Sequence, residues 1–116
     1  MIPGDDSKLS HLRRGALEYC VLSLLAGRER YGLDIARELT TDGVLMSSEG
    51  TLYPLLARLR KAGWVSTSWQ ESPEGPPRRY YSLTAAGATA LEEFRRAWKV
   101  FRDAVDAALG STGEKT

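Results

Sequence analysis

Apolar residues recur along the chain in four stretches at helical spacing and one stretch that alternates. The first helix is predicted from about Lys8 to Ala26, stopping at Gly27. It carries two apolar stripes: Leu9, Leu12, Ala16 and Cys20 on one, Leu17, Val21, Leu24 and Leu25 on the other. A surface helix of a single domain needs one stripe, so the spare one requires a second surface to pack on. A short second helix runs from Leu33 to about Thr41 behind Tyr31-Gly32, with Ile35, Ala36 and Leu39 inward, and Asp42-Gly43 turns the chain out of it.

The third helix is predicted over Ser48–Ala62, with Ser48 as N-cap, Glu49 in its first turn and Gly63 at its close. Leu52, Leu55, Leu56 and Leu59 form its inner stripe, while Thr51, Pro54, Arg58 and Lys61 lie opposite and Tyr53 stands near the N-terminal end. Pro54 falls beyond the first turn, so the early turns must be loosened locally. A hairpin follows, with strands at Trp64–Gln70 and Arg78–Leu83 around the turn-rich Ser72–Pro77. Two strands alone are marginal in water, so the ribbon must lean on the helices. Trp64 and Trp69 are the expected anchors.

Thr84 caps a last helix, Ala85 to about Leu109, in which Gly87, Leu91, Phe94, Trp98, Phe101, Val105 and Ala108 keep alternating spacings of four and three. Such a helix of about 25 residues is about 38 Å long and overhangs the rest of the chain. Its seam needs a partner, and a second copy satisfies the geometry. Leu9, Leu12, Ala16, Leu91, Phe94, Trp98, Phe101 and Val105 are therefore the expected dimer interface.

The order helix, helix, helix, ribbon is that of a winged helix-turn-helix, in which the last of the three helices enters the major groove and the ribbon flanks it. The expected fold is mainly α with a small β-hairpin. A polar tail is expected over 1–7, a DNA-binding domain over 8–84, a dimerisation helix over 85–109 and a second tail over 110–116.

At 116 residues the chain has room for one domain. Its formal charge is only +1, which excludes a uniformly basic coat and requires any nucleic-acid partner to meet a local patch. Between Gly50 and Leu83, Arg58, Arg60, Lys61, Arg78 and Arg79 face only Glu71 and Glu74, so this segment supplies one. The candidate DNA-contacting residues are Ser48, Thr51, Tyr53, Pro54, Arg58, Lys61, Arg78 and Arg79, although on pattern alone Thr51, Tyr53, Arg58 and Lys61 also read as a solvated helix face. Strand alternation puts Arg78 and Arg79 on opposite faces, without saying which faces the DNA.

Cys20 and His11 are the only cysteine and histidine. They give no metal site and no internal disulfide; Cys20 reads as a packed thiol and His11 as a surface residue. No phosphate loop, nucleophile–base set or carboxylate pair marks an enzyme, and no cofactor is expected. No apolar run reaches the ~20 residues of a bilayer span, and Met1–Lys8 carries no secretory core, so the expected compartment is the cytoplasm.

Two blocks, Ser48-Glu49-Gly50-Thr51-Leu52-Tyr53-Pro54-Leu55-Leu56 and Gly75-Pro76-Pro77-Arg78-Arg79-Tyr80-Tyr81-Ser82-Leu83-Thr84-Ala85-Ala86-Gly87, closely resemble the PadR family of bacterial transcriptional regulators. Tyr31-Gly32-Leu33-Asp34-Ile35 matches its glycine-centred opening of the second helix, except that Leu33 stands where the family often has an aromatic residue. The resemblance spans about Leu12 to Leu109. It implies a homodimeric repressor-type regulator with a winged helix-turn-helix and a C-terminal dimerisation helix, similar to the short, multidrug-responsive subgroup with a single C-terminal helix; such a dimer would read a palindromic site on double-stranded DNA. In that subgroup, a tryptophan on the final helix lines a pocket for planar hydrophobic molecules, a place Trp98 would take, with Phe94 and Phe101 beside it. From the residues alone Trp98 reads first as a dimer-core aromatic, a role compatible with lining the pocket. The alternative function is a winged-helix protein–protein interaction module without DNA binding.

Overall fold

A computed structural model describes residues 6–110. In chain order it contains α1 (Asp6–Arg13), α2 (Leu17–Leu24), β1 (Arg30–Tyr31), α3 (Gly32–Leu39), a 3-10 turn (Glu49–Thr51), α4 (Leu52–Lys61), β2 (Val65–Ser72), β3 (Gly75–Leu83) and α5 (Ala85–Leu109). Of the tail expected over 1–7, Asp6 and Ser7 already belong to α1; residues 1–5 and 111–116 lie outside the described residues.

The single first helix of the sequence reading is two helices. Gly15 takes φ +84°, a left-handed conformation open to glycine at little cost, and the chain turns there. Arg13 fixes the turn: its Nε and Nη2 donate to the carbonyl oxygens of Val44 and Gly43, both at 2.7 Å. The two expected stripes consequently do not share one rod. Val21, Leu22 and Leu25 of α2 and its C-terminal edge enter the core, whereas Leu12 of α1 is 71% exposed.

The four leucines of α4, Leu52, Leu55, Leu56 and Leu59, are all buried against Ile35, Ala36 and Leu39 of α3 and Met46 of the connecting loop in one core. Regular helix begins only at Leu52, so Pro54 is its third residue rather than an interior one. Its missing N–H falls among the four that no helix can satisfy internally. The expected loosening is the 3-10 turn itself. Ser48 stands before that turn in extended conformation, and its side chain makes no capping bond, contrary to its expected role.

The ribbon is longer and its turn tighter than expected. Pairing runs from Val65↔Leu83 through Trp69↔Arg79 and Gln70↔Arg78 to Ser72↔Gly75, with an irregularity between Gln70 and Ser72. Pro76 and Pro77 therefore belong to β3 near the tip, not to the turn. A third strand, β1, pairs Arg30↔Tyr81 and Tyr31↔Tyr80, making β3 central. Two residues are too few for periodicity to reveal.

Thr84 caps α5 as expected, accepting from the Gly87 N–H at 3.0 Å and donating to the Gly63 carbonyl at 2.7 Å. A Cβ on Gly87 would overlap the Trp64 carbonyl oxygen, so α5 crosses the base of the ribbon at a distance only glycine allows. Leu91 is buried in the core of the chain, 4% exposed. It closes the floor of a trough between α2 and α5, so of the expected dimer seam it offers only a sliver of surface. Beyond Trp98 the helix leaves the body, and the molecule extends over 57 × 32 × 20 Å.

Candidate nucleic-acid interface

Burial of its leucine stripe turns the other face of α4 outward. Thr51, Tyr53, Pro54, Arg58 and Lys61 are all exposed, as is Ser48 before them. Among the described residues no carboxylate pairs with Arg58, Arg60 or Lys61, whereas Arg30, Arg95, Arg96 and Arg102 each have one. These cations remain open to an external anion.

Tyr53 is held at the junction between α4 and the sheet. Its ring approaches Gly32, where a Cβ would lie 3.3 Å from it and 3.4 Å from the ring of Tyr81. Burial, then the neighbouring Tyr31, Tyr81 and Glu49, push the Tyr53 phenol above its ordinary pKa. At neutral pH it keeps its proton and can donate a hydrogen bond.

The two ribbon arginines each lie over an aromatic ring, Arg78 over Tyr31 at 4.8 Å and Arg79 over Trp69 at 4.9 Å. Trp69 does not anchor the ribbon: it is 63% exposed. Trp64 does, packing on Tyr19 of α2 with ring centroids 5.7 Å apart. Hydroxyls and unpaired cations on α4, flanked by an arginine-bearing ribbon, can satisfy phosphates and base edges of a duplex.

One further cation joins this face without a signal in the sequence. The break between α1 and α2 brings Arg14 to a cleft of about 390 Å³ shared with Ser47, Thr51 and Arg58. Arg14 is exposed, and no carboxylate among the described residues pairs with it. Nothing in the local sequence distinguishes it from Arg13, whose donors go to the loop.

A second feature lies along α1, α2 and α5: an open trough of about 650 Å³ walled by Leu9, Leu12, Ala16, Tyr19, Phe94 and Trp98. Trp98, Phe94 and Tyr19 form a column, with centroids 6.1 Å and 4.2 Å apart and planes within 15° and 3°. Tyr19 carries no signal in the sequence, because a helix tyrosine beside Cys20 reads as ordinary packing. Cys20 lines the same wall half-buried, and burial pushes its thiol pKa up. Phe101 does not line the trough; it is 63% exposed farther along α5, and Val105 is half-buried. His11 is exposed. No helix among the described residues is long and apolar enough to cross a membrane.

The model of the transcriptional regulator PadR-like family matches residues 21–93. The chain is 38% identical over 89 residues to the transcriptional regulator Rv3488 of Mycobacterium tuberculosis, covering 77% of this chain and 81% of that protein. Its fold is similar to that of a PadR-like transcriptional regulator from Bacillus cereus, at TM-score 0.76 and 35% identity over 90% of this chain and 99% of that one. A PadR family regulator from Eggerthella lenta gives TM-score 0.78 and 34% identity, covering 92% and 93% of the two chains.

Proposed function

The chain belongs to the PadR-like family of transcriptional regulators, and from that premise we propose that it is a homodimeric repressor of a palindromic operator, released by a planar hydrophobic effector. The family is one of transcriptional regulators rather than enzymes, and its fold here is the winged helix. Residues 8–84 act as the DNA-binding domain and residues 85–109 as the dimerisation helix.

The observation that carries the DNA reading is the outward face of α4, where unpaired Arg58 and Lys61 accompany Thr51 and Tyr53 beside the ribbon. Thr51 and Tyr53 read base edges, Ser48 and Pro54 shape the approach, and Arg58, Lys61, Arg78 and Arg79 meet phosphates. The homodimer rests on apolar surface that one chain leaves open: the trough and, on α5, Trp98, Val100, Phe101 and Leu109. Leu9, Leu12, Ala16, Phe94, Trp98, Phe101 and Val105 supply the contact. Two copies related by a two-fold axis present their α4 helices to half-sites about 10 bp apart. The effector occupies the dimer centre against Phe94 and Trp98, which flatten one wall of the trough.

The test is an electrophoretic shift with DNA from upstream of its own gene, beside sedimentation of the free protein. A dimer that shifts this duplex more strongly than a scrambled one supports the reading. A folded monomer indifferent to every duplex overturns it.

A further inference from the structure

Tyr81 turns into the core from β3. Alternation then places Arg79, two residues nearer the tip, on the same inner face, and Arg78 on the outer one. The inner face is the one that meets α4, since the Tyr81 ring lies with the Tyr53 ring against Gly32. Trp69 stands opposite Arg79 in the register of β2 and β3, and the guanidinium carbon of Arg79 is 4.9 Å from the indole centroid. Two facts set this pair apart from ordinary packing. The indole is 63% exposed and belongs to no core. The Nε of Arg79 is buried without a hydrogen-bond partner, and no carboxylate among the described residues pairs with the side chain.

A cation stacked on an aromatic face uses the flat of its guanidinium and leaves the terminal N–H groups at the edge free to donate. Stacking also removes rotamer freedom that a long side chain would otherwise lose on binding. We propose that Trp69 is a positioning residue for DNA: it holds the Arg79 guanidinium on the α4 side of the ribbon, ready for a phosphate flanking the groove that α4 enters. The inference rests on the DNA-binding reading and deepens it.

The experiment measures binding of the full chain to a labelled random-sequence duplex and to the duplex the parent enriches from that pool. Arg79→Ala is expected to weaken binding about tenfold and Trp69→Ala about threefold, the scale of an exposed cation–π contact. The double variant should bind no worse than Arg79→Ala alone, because the indole acts only through the guanidinium. Trp69→Phe should restore most of the loss, whereas Arg79→Lys, which keeps the charge but not the planar stack, should not. Thermal melting of the exposed Trp69 variants should match the parent, separating positioning from folding. Additive losses, or parent-like binding by Trp69→Ala, overturn the inference while leaving the DNA reading in place. A parent that binds no duplex at any salt concentration overturns both.

Discussion

The ring of Phe94 lies flat against that of Tyr19, with centroids 4.2 Å apart and planes within 3°. This contact ties α5, near where it leaves the body, to α2, which is rooted in the core. Phe94→Ala removes the stack and the apolar area beneath it. The expected loss is about 2 kcal/mol, less than for a fully buried phenylalanine because Phe94 is half-exposed. Urea unfolding at fixed protein concentration measures it, and a loss no greater than that of Val100→Ala would show that the stack carries little.

Gly87 and Gly32 differ in how far a side chain would intrude. Gly87→Ala forces a methyl into the Trp64 carbonyl, a backbone atom that cannot rotate away. The expected destabilisation is about 3 kcal/mol or more. Gly32→Ala meets only the edges of two tyrosine rings at 3.3 and 3.4 Å, so about 1 kcal/mol is expected. Urea midpoints of the two variants rank them directly.

The cations at the interface should differ from the hydroxyls in what their loss does. Arg58→Ala, Lys61→Ala and Arg14→Ala should each lower the slope of log affinity against log salt by about 1, for every sequence alike. Thr51→Val and Tyr53→Phe should leave the slope intact and change which base pairs are preferred, by about 1–3 kcal/mol per altered contact. Fluorescence anisotropy across a salt series, with a panel of single-base operator variants, separates the two behaviours.

On the proposed effector reading, a planar polyaromatic dye added to the protein should quench tryptophan emission and release DNA. Trp98→Ala should abolish both effects, while Phe101→Ala, outside the trough, should leave them near the parent's. Equal effects from both variants would place the ligand elsewhere along α5.

Alkaline pH should weaken the fold. Burial raises the thiol of Cys20 from its ordinary value of 9.0 and the phenols of Tyr19 and Tyr53 from 10.0, with nearby carboxylates adding to both phenols. The folded state thus favours the neutral forms. Their contribution is complete below about pH 9 and declines as pH rises through the elevated folded values. Thermal midpoints should be flat around neutrality and fall above pH 9, and Cys20→Ser should remove the earliest part of that fall.

Periodicity alone determined the leucine stripe of α4, the extent of α5 and its Thr84 cap, and the existence of a two-stranded ribbon, because each depends on neighbours within a few residues. The outward placement of Thr51, Tyr53, Arg58 and Lys61 followed, since a helix that buries one stripe must expose the other. What needed the folded chain were relationships between distant segments. Gly15 looks like any helix residue until its φ of +84° splits α1 from α2. Leu91 belongs to the α5 pattern, yet the body reaches far enough along the helix to bury it. Strand β1 is two residues long and exists only because β3 offers a free edge. The two ribbon arginines are equivalent in sequence, and only the burial of Tyr81 assigns Arg79 to the side of α4. Local spacing fixes which face of an element is apolar; which surface covers that face is settled by how the elements pack, and no spacing encodes it.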